Sequence, residues 1–394
     1  MQGQPGLRQF RTFRNTAGIA LLSCGLLLSG CDRQEPPAEP APAPVTASLN
    51  SPEAVAITEQ VWQNQNHDFS EVLRQTRALK QAVDTLTQQP TMEHLQTVRE
   101  QWHIAHNALL SQAPLFALGT INPGLFQQIQ QSHSLIDAQP IQPGYLDYFA
   151  VYQHTGIVND IAARLTAEDL RQQHRFSDDS DVSLGFHAMA YLLWGEDQQR
   201  PLEDFQVPEA PTQIQRDNGL KLVDLPSHRR GTLLQLQATL LLDDLSALHY
   251  KLSHQASGLT VAYQSISSAS RMQLWLRSCR SILERLQRQT AQQPEPGQDE
   301  FFDHNRFSGQ HTKAMAAILR GMARLLFTPH GEVAPMGQQL LGDAQAKALG
   351  DNLQQLQQAL SSEETRPLNE REDIQALLQQ SLDLLGDRPH TTAN

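Results

Sequence analysis

The chain has 394 residues, of which 39% are hydrophobic and 18% charged, with 22 Gly, 22 Pro and three Cys. That hydrophobic content supports a folded core and excludes wholesale disorder, and the length alone suggests roughly two domains. The formal charge of −12 argues against nucleic acid, whose phosphates require a basic face, and suits cationic ligands.

The first segment reads as a targeting sequence. Arg8, Arg11 and Arg14 form a positive region, and residues 17–30 form a short apolar run ending Leu28-Ser29-Gly30-Cys31. That run is too short for a membrane span. It is similar to a bacterial lipobox, which implies a signal peptide over 1–30, lipidation of Cys31 and a lipid-anchored protein of the bacterial envelope facing the periplasm. Asp32 resembles a retention residue for the inner membrane, although which membrane holds the lipid stays open. Removing three signal arginines and no acids takes the formal −12 to −15. Cys24 leaves with the signal and Cys31 is consumed by lipid, so Cys279 has no intramolecular disulfide partner. Core packing must then supply the stability.

Residues 31–50 are a Pro/Ala-rich tether, extended and semi-rigid. Ser51-Pro52-Glu53 is a helix start, and the helix is expected to reach Gln89 with an interruption near 64–68. Thr91 starts the next helix, where Leu95, Val98, Trp102, Ala105 and Leu109 step by 3 and 4 along a bundle seam with His106 beside it. Residues 114–145 are rich in Gly and Pro and read as a long structured loop with one short helix. Thr166-Ala167-Glu168-Asp169 resembles a capping box.

Residues 183–197, SLGFHAMAYLLWGED, are apolar on nearly every side, so a helix there is central and buried. Gly195 closes it, and its His187 is the foremost candidate ligand. A lone histidine on such a helix is, however, more often a hydrogen-bonded core residue. A Pro-rich crossover over 206–225 separates an N-terminal bundle (51–205) from a C-terminal one (226–390). Helices are expected over 227–254, 270–289, 308–327, 343–361 and 370–385. In the second of these Arg271, Arg277, Arg280, Arg285 and Arg288 make a basic face. No useful strand-period alternation is present, so the class is all-α: two antiparallel helical bundles. Gly185-x-His187-x-x-Ala190 and Gly309-x-His311-x-x-Ala314 echo one another 124 residues apart (311 − 187), which suggests an approximate internal duplication.

Gly185, His187 and Leu192-Leu193-Trp194-Gly195 resemble the hallmark of the imelysin family, G-x-H-x-x-E followed by an L-L-W-G run. That family includes insulin-cleaving membrane proteases and many iron-regulated bacterial lipoproteins. Residues 136–149, Arg229-Arg230 to Asp244-Leu245, and the segment from Phe307 to His311 resemble further family segments, so the likeness spans about 52–385. It implies two bundles with a ligand or metal site between them. One departure stands out. The family glutamate falls on Ala190, which removes the carboxylate sharing a helix face with His187.

The candidate metal ligands for such a site are His187, His311 and Asp303, with His106 and His304 as further candidates whose convergence the sequence does not establish. Gly185, Phe186, Ala190, Tyr191, Trp194 and Asn305 would line its cleft. Three functions follow. The first is a non-catalytic envelope protein binding or helping to acquire iron, another divalent metal or an iron-bearing ligand, alongside iron-uptake or redox partners. The second is a metallopeptidase, which needs a metal with an open position and a base. The third is an interaction scaffold without metal, in which His187 is structural.

Overall fold

A computed structural model describes residues 49–291, 305–329, 334–362 and 366–386. The signal peptide, Cys24, Cys31, nearly all of the tether, Asp303 and His304 lie outside these residues. The described residues belong to one compact unit, and among them the regular structure is helical, with one isolated bridge between Phe149 and Tyr152. No helix among them is long and apolar enough to cross a membrane.

Helix α1 (Pro52–Gln88) begins as the sequence predicts, with Ser51 accepting a hydrogen bond from the Ala54 amide. It is continuous where an interruption was expected. The buried positions Val61, Trp62, Gln65, Phe69, Val72 and Leu73 carry one stripe straight through 64–68, and packing on that stripe outweighs the polar local sequence. Helix α2 (Met92–Leu110) lies against α1 and buries the expected seam together with His106.

The stretch 114–145 departs furthest from expectation. It holds α3 (Ala113–Ile121) and α4 (Pro123–Ile136), a hairpin in which Asn122 ends one helix and caps the next by accepting from the Leu125 amide. Pro114 and Pro123 sit at helix N-termini, where a missing N–H costs nothing, and only Pro140 and Pro143 lie in irregular structure. A short α5 (Ala167–Gln173) follows, capped by Thr166. The central helix is α6 (Gly185–Trp194), and all ten of its residues are buried.

Beyond α7 (Gln213–Asp217), the long α8 (Pro226–Ser253) packs on α1, α4 and α6. Then come α9 (Gly258–Ser265), outside the helices expected from sequence, and α10 (Ser268–Ala291). The expected basic face of α10 is not wholly a solvent face. Arg271 is 7% exposed and donates to the carbonyls of Tyr263, Gln264 and Ile266, tying α9 to α10. Helices α11 (His311–Phe327), α12 (Met336–Leu341), α13 (Asp343–Ser361) and α14 (Glu372–Leu385) complete the set. The two halves interlock: α10 packs on α3 and α1, and α11 packs on α2.

The irregular segment between α4 and α6 is held by buried ion pairs. Arg229 donates to the carbonyls of Ile157, Val158, Asp160 and Ala163. Asp147, fully buried, accepts from Arg230 at 2.6 and 3.0 Å and lies 3.1 Å from Arg200. Breaking one member of such a group leaves an uncompensated buried charge, which typically costs about 3–5 kcal/mol. The segment is therefore fixed relative to α6 and α8.

An internal duplication is not confirmed by this arrangement. Gly185 and Gly309 both have positive φ, +89° and +69°. Yet His187 is the third residue of its helix, whereas His311 is the first of its own.

Candidate metal centre

Three helices bring one carboxylate and two imidazoles together. His106 comes from the C-terminal half of α2, Asp137 from the C-cap of α4, and His187 from the first turn of α6. His106 Nε2 and His187 Nε2 each lie 3.0 Å from the same oxygen, Asp137 Oδ1. His133, one turn before Asp137 on α4, lies 3.6 Å from Oδ2. The three central residues are 1%, 6% and 3% exposed in the order His106, Asp137, His187. Their ligand atoms lie within 4.8 Å of one another, and among the described residues this is the group able to hold a metal ion.

The sequence explains the convergence. Gly185 has φ +89°, and a Cβ there would lie 2.6 Å from the carbonyl oxygens of both Leu135 and Ile136. Glycine thus lets the start of α6 pass directly against the end of α4, one residue before Asp137. Trp102 donates its indole N–H to the Phe186 carbonyl at 2.9 Å, locking α2 onto α6. At the other end of α6, Arg99 donates to the Leu193 and Arg200 carbonyls. The helix carrying His187 is therefore pinned at both ends.

The electrostatics favour metal-ready forms. Burial alone would raise the Asp137 carboxyl, but His187, His106 and His133 outweigh it and hold the group well below its ordinary value. Burial lowers His106, against the opposing pull of Asp137. An ionised carboxylate and a neutral imidazole are the protonation states a cation requires. The donor set, two imidazoles and one carboxylate oxygen from three rigid helices, fits a divalent first-row metal.

Asp137 also faces a cavity of about 250 Å³ between the two halves. His133, Arg285, Arg288, Asn305 and His311 contribute polar groups to its lining, and Leu109, Phe116, Met315 and Ile318 contribute apolar ones. Of the sequence-predicted residues, Asn305 and His311 thus reach this cavity, and His187 lies in the buried group behind Asp137. His311 does not join that group. Gly185, Phe186, Ala190 and Tyr191 are buried in the interior, and none lines the cavity. Phe186 stacks edge-on against Trp102, and the Tyr191 hydroxyl donates to the Tyr148 carbonyl. Trp194, 7% exposed, packs against Trp102 and His103. Asp303 lies outside the described residues.

Sequence reasoning missed Asp137. It sits in a stretch read as loop, and its partners are 31 and 50 residues away (137 − 106 and 187 − 137). The available signal was His133-x-x-x-Asp137, an i,i+4 pair on one helical face. Asp137 places a carboxylate beside His187 from a different helix.

Comparison with known proteins agrees with this architecture. One similar solved structure is an imelysin-like protein from Psychrobacter arcticum 273-4, with 17% identity and a TM-score of 0.59, covering 85% of this chain and 93% of that one. A second, assigned as an iron-regulated protein A precursor from Parabacteroides distasonis ATCC 8503, has 12% identity and a TM-score of 0.57, covering 89% and 96%. Both likenesses are of fold. No curated protein sequence matches the chain. The family model for Imelysin, peptidase M75, matches residues 66–387. With that model spanning most of its length and an imelysin-like fold superposing on its helices, the chain belongs to the imelysin family.

Proposed function

We propose that this protein is a non-catalytic, metal-binding member of the imelysin family, in which His106, Asp137 and His187 hold a divalent cation, iron foremost. The observation that carries the reading is the pair of 3.0 Å separations from two buried Nε2 atoms to one carboxylate oxygen. A two-histidine, one-carboxylate set is the donor combination of many non-haem iron(II) sites. The iron-regulated assignment of a structural neighbour supports iron over other metals. When bound, the cation would supply charge compensation for Asp137 and a site for further oxygen ligands.

The absence of catalysis is argued from the donor set. The family glutamate is replaced by Ala190, and among the described residues Asp137 is the sole carboxylate in the group. Used as a ligand, it leaves the group no second carboxylate to serve as the base that activates a water. The envelope location rests on the arginine-bearing leader and the lipobox-like Leu28-Ser29-Gly30-Cys31. Mass spectrometry of the membrane-extracted protein is expected to find Cys31 as a lipidated N-terminus, and Cys31→Ser to release the protein into the soluble fraction. An unprocessed N-terminus would refute the anchoring.

Anaerobic titration calorimetry with iron(II) and zinc tests the metal. One cation per chain is expected, with affinity falling at least about tenfold in Asp137→Asn, His187→Ala and His106→Ala variants whose helicity is retained. Saturation at a hundredfold excess over Kd should stabilise the fold by about 2.7 kcal/mol. Wild-type affinity in both Asp137→Asn and His187→Ala would remove the site from consideration.

A further inference from the structure

The cavity in front of Asp137 is chemically lopsided. Two guanidiniums, Arg285 and Arg288, stand three positions apart on α10 and face it, while Asp137 is its sole carboxylate among the described residues. Asp137 is already committed to His106 and His187 on its far side. Among the described residues Arg285 has no ion pair, although the charge of Asp137 reaches it. Burial pushes the Arg285 guanidinium down from its ordinary value, with Asp137 opposing and Arg288 reinforcing that push. It stays charged all the same, since an arginine does not lose its proton in a protein.

Charge counting makes the need explicit. Counting only the carboxylate and the two guanidiniums, Asp137, Arg285 and Arg288 sum to about +1, and a divalent cation held behind Asp137 would raise this to about +3. Like charge collected at one half-buried cavity is costly unless something negative enters. We propose that the cavity binds a small organic carboxylate, held by Arg285 and Arg288, as an anionic co-ligand that enters together with the cation. The inference rests on the metal reading above and deepens it. The apolar wall of Leu109, Phe116, Met315 and Ile318 favours a carbon skeleton over a bare phosphate. A volume near 250 Å³ lies just below the usual range of about 300–1,000 Å³ for drug-sized ligands, so the guest is a small acid and not a polypeptide. The guanidinium fork matches a carboxylate in a two-point geometry, which a lysine would not provide.

Two consequences separate this from a passive basic patch. Binding free energies are reciprocal, so the cation must raise anion affinity by the same factor that the anion raises cation affinity. Removing the two guanidiniums should tighten the cation in anion-free buffer, because two like charges leave its surroundings, while abolishing the coupling.

The experiment uses the purified full chain and the weakly chelating dicarboxylate succinate, with inorganic phosphate in parallel. Calorimetry measures each anion against the metal-free and zinc-loaded protein, for wild type and for an Arg285→Gln/Arg288→Gln variant. Succinate is expected to bind at least about tenfold more tightly when zinc is present, and that gain should vanish in the variant. In anion-free buffer the variant should take up zinc several-fold more tightly than wild type. Equal succinate affinity in wild type and variant overturns the proposal, and so does a weakened zinc affinity in the variant. A clear preference for phosphate overturns the carboxylate assignment. If no cation binds, the metal reading fails by itself. Arginine-dependent succinate binding to the metal-free chain would then still support the anion pocket, and its absence would end both.

Discussion

Gly185 shows how one side-chain deletion positions a site. Its φ of +89° and its approach to the Leu135 and Ile136 carbonyls leave no room for a Cβ. Gly185→Ala is expected to cost roughly 3 kcal/mol, from left-handed strain combined with overpacking, read as a shift in the urea midpoint. It should also loosen the His187–Asp137 contact and weaken cation binding; an unaltered midpoint and affinity would refute this role. His103 carries a separate expectation. Burial, with His106 and Lys313 adding to it, lowers its pKa from 6.5 to about 4. A base whose folded pKa is depressed leaves the unfolded chain binding the extra proton. Its contribution to stability is therefore present above about pH 6.5 and is lost as pH falls toward 4. His103→Phe keeps a ring against Trp194 and should flatten the loss of stability across that window, measured as urea midpoint against pH. An unchanged slope would mean that other groups dominate.

Among the elements, legibility followed periodicity. Helices α2, α6, α8, α11 and α13 were readable because leucines and alanines recur at helical spacing, and α13 spans the expected 343–361. The α3–α4 hairpin was not, since Pro114, Pro123 and Gly124 suggest a loop until their helix-initiating positions are seen. That loss mattered, because α4 delivers His133 and Asp137. Helix packing also depends on one small residue in α11. A Cβ on Gly321 would collide with the Ser111 carbonyl at the end of α2, the helix that carries His106. Gly321→Ala should lower stability by about 1–3 kcal/mol through overpacking, despite the gain in helix propensity. A thermal midpoint equal to or above wild type would show that the two helices can separate at no cost.

For the whole molecule, stability rests on packing and buried ion pairs, without a disulfide among the described residues. Cys279 is free and buried, and desolvation raises its thiol to about 12. Mass-spectrometric mapping should find Cys279 unlabelled by thiol reagents in the native protein, with labelling that tracks global unfolding. Rapid native labelling would reveal local opening of α10. The sequence by itself determined the helical class, the buried central helix around His187 and the family likeness. Each of these is written in nearest-neighbour spacing or a contiguous motif. Only the tertiary structure decided that Asp137 meets His106 and His187, that His311 reaches the cavity but not that group, and that Arg285 and Arg288 stand opposite Asp137. Those pairings join residues 31 to about 150 positions apart, and no local period encodes the approach of chain ends so distant. Close packing of whole helices, permitted at points such as Gly185 and Gly321, sets them.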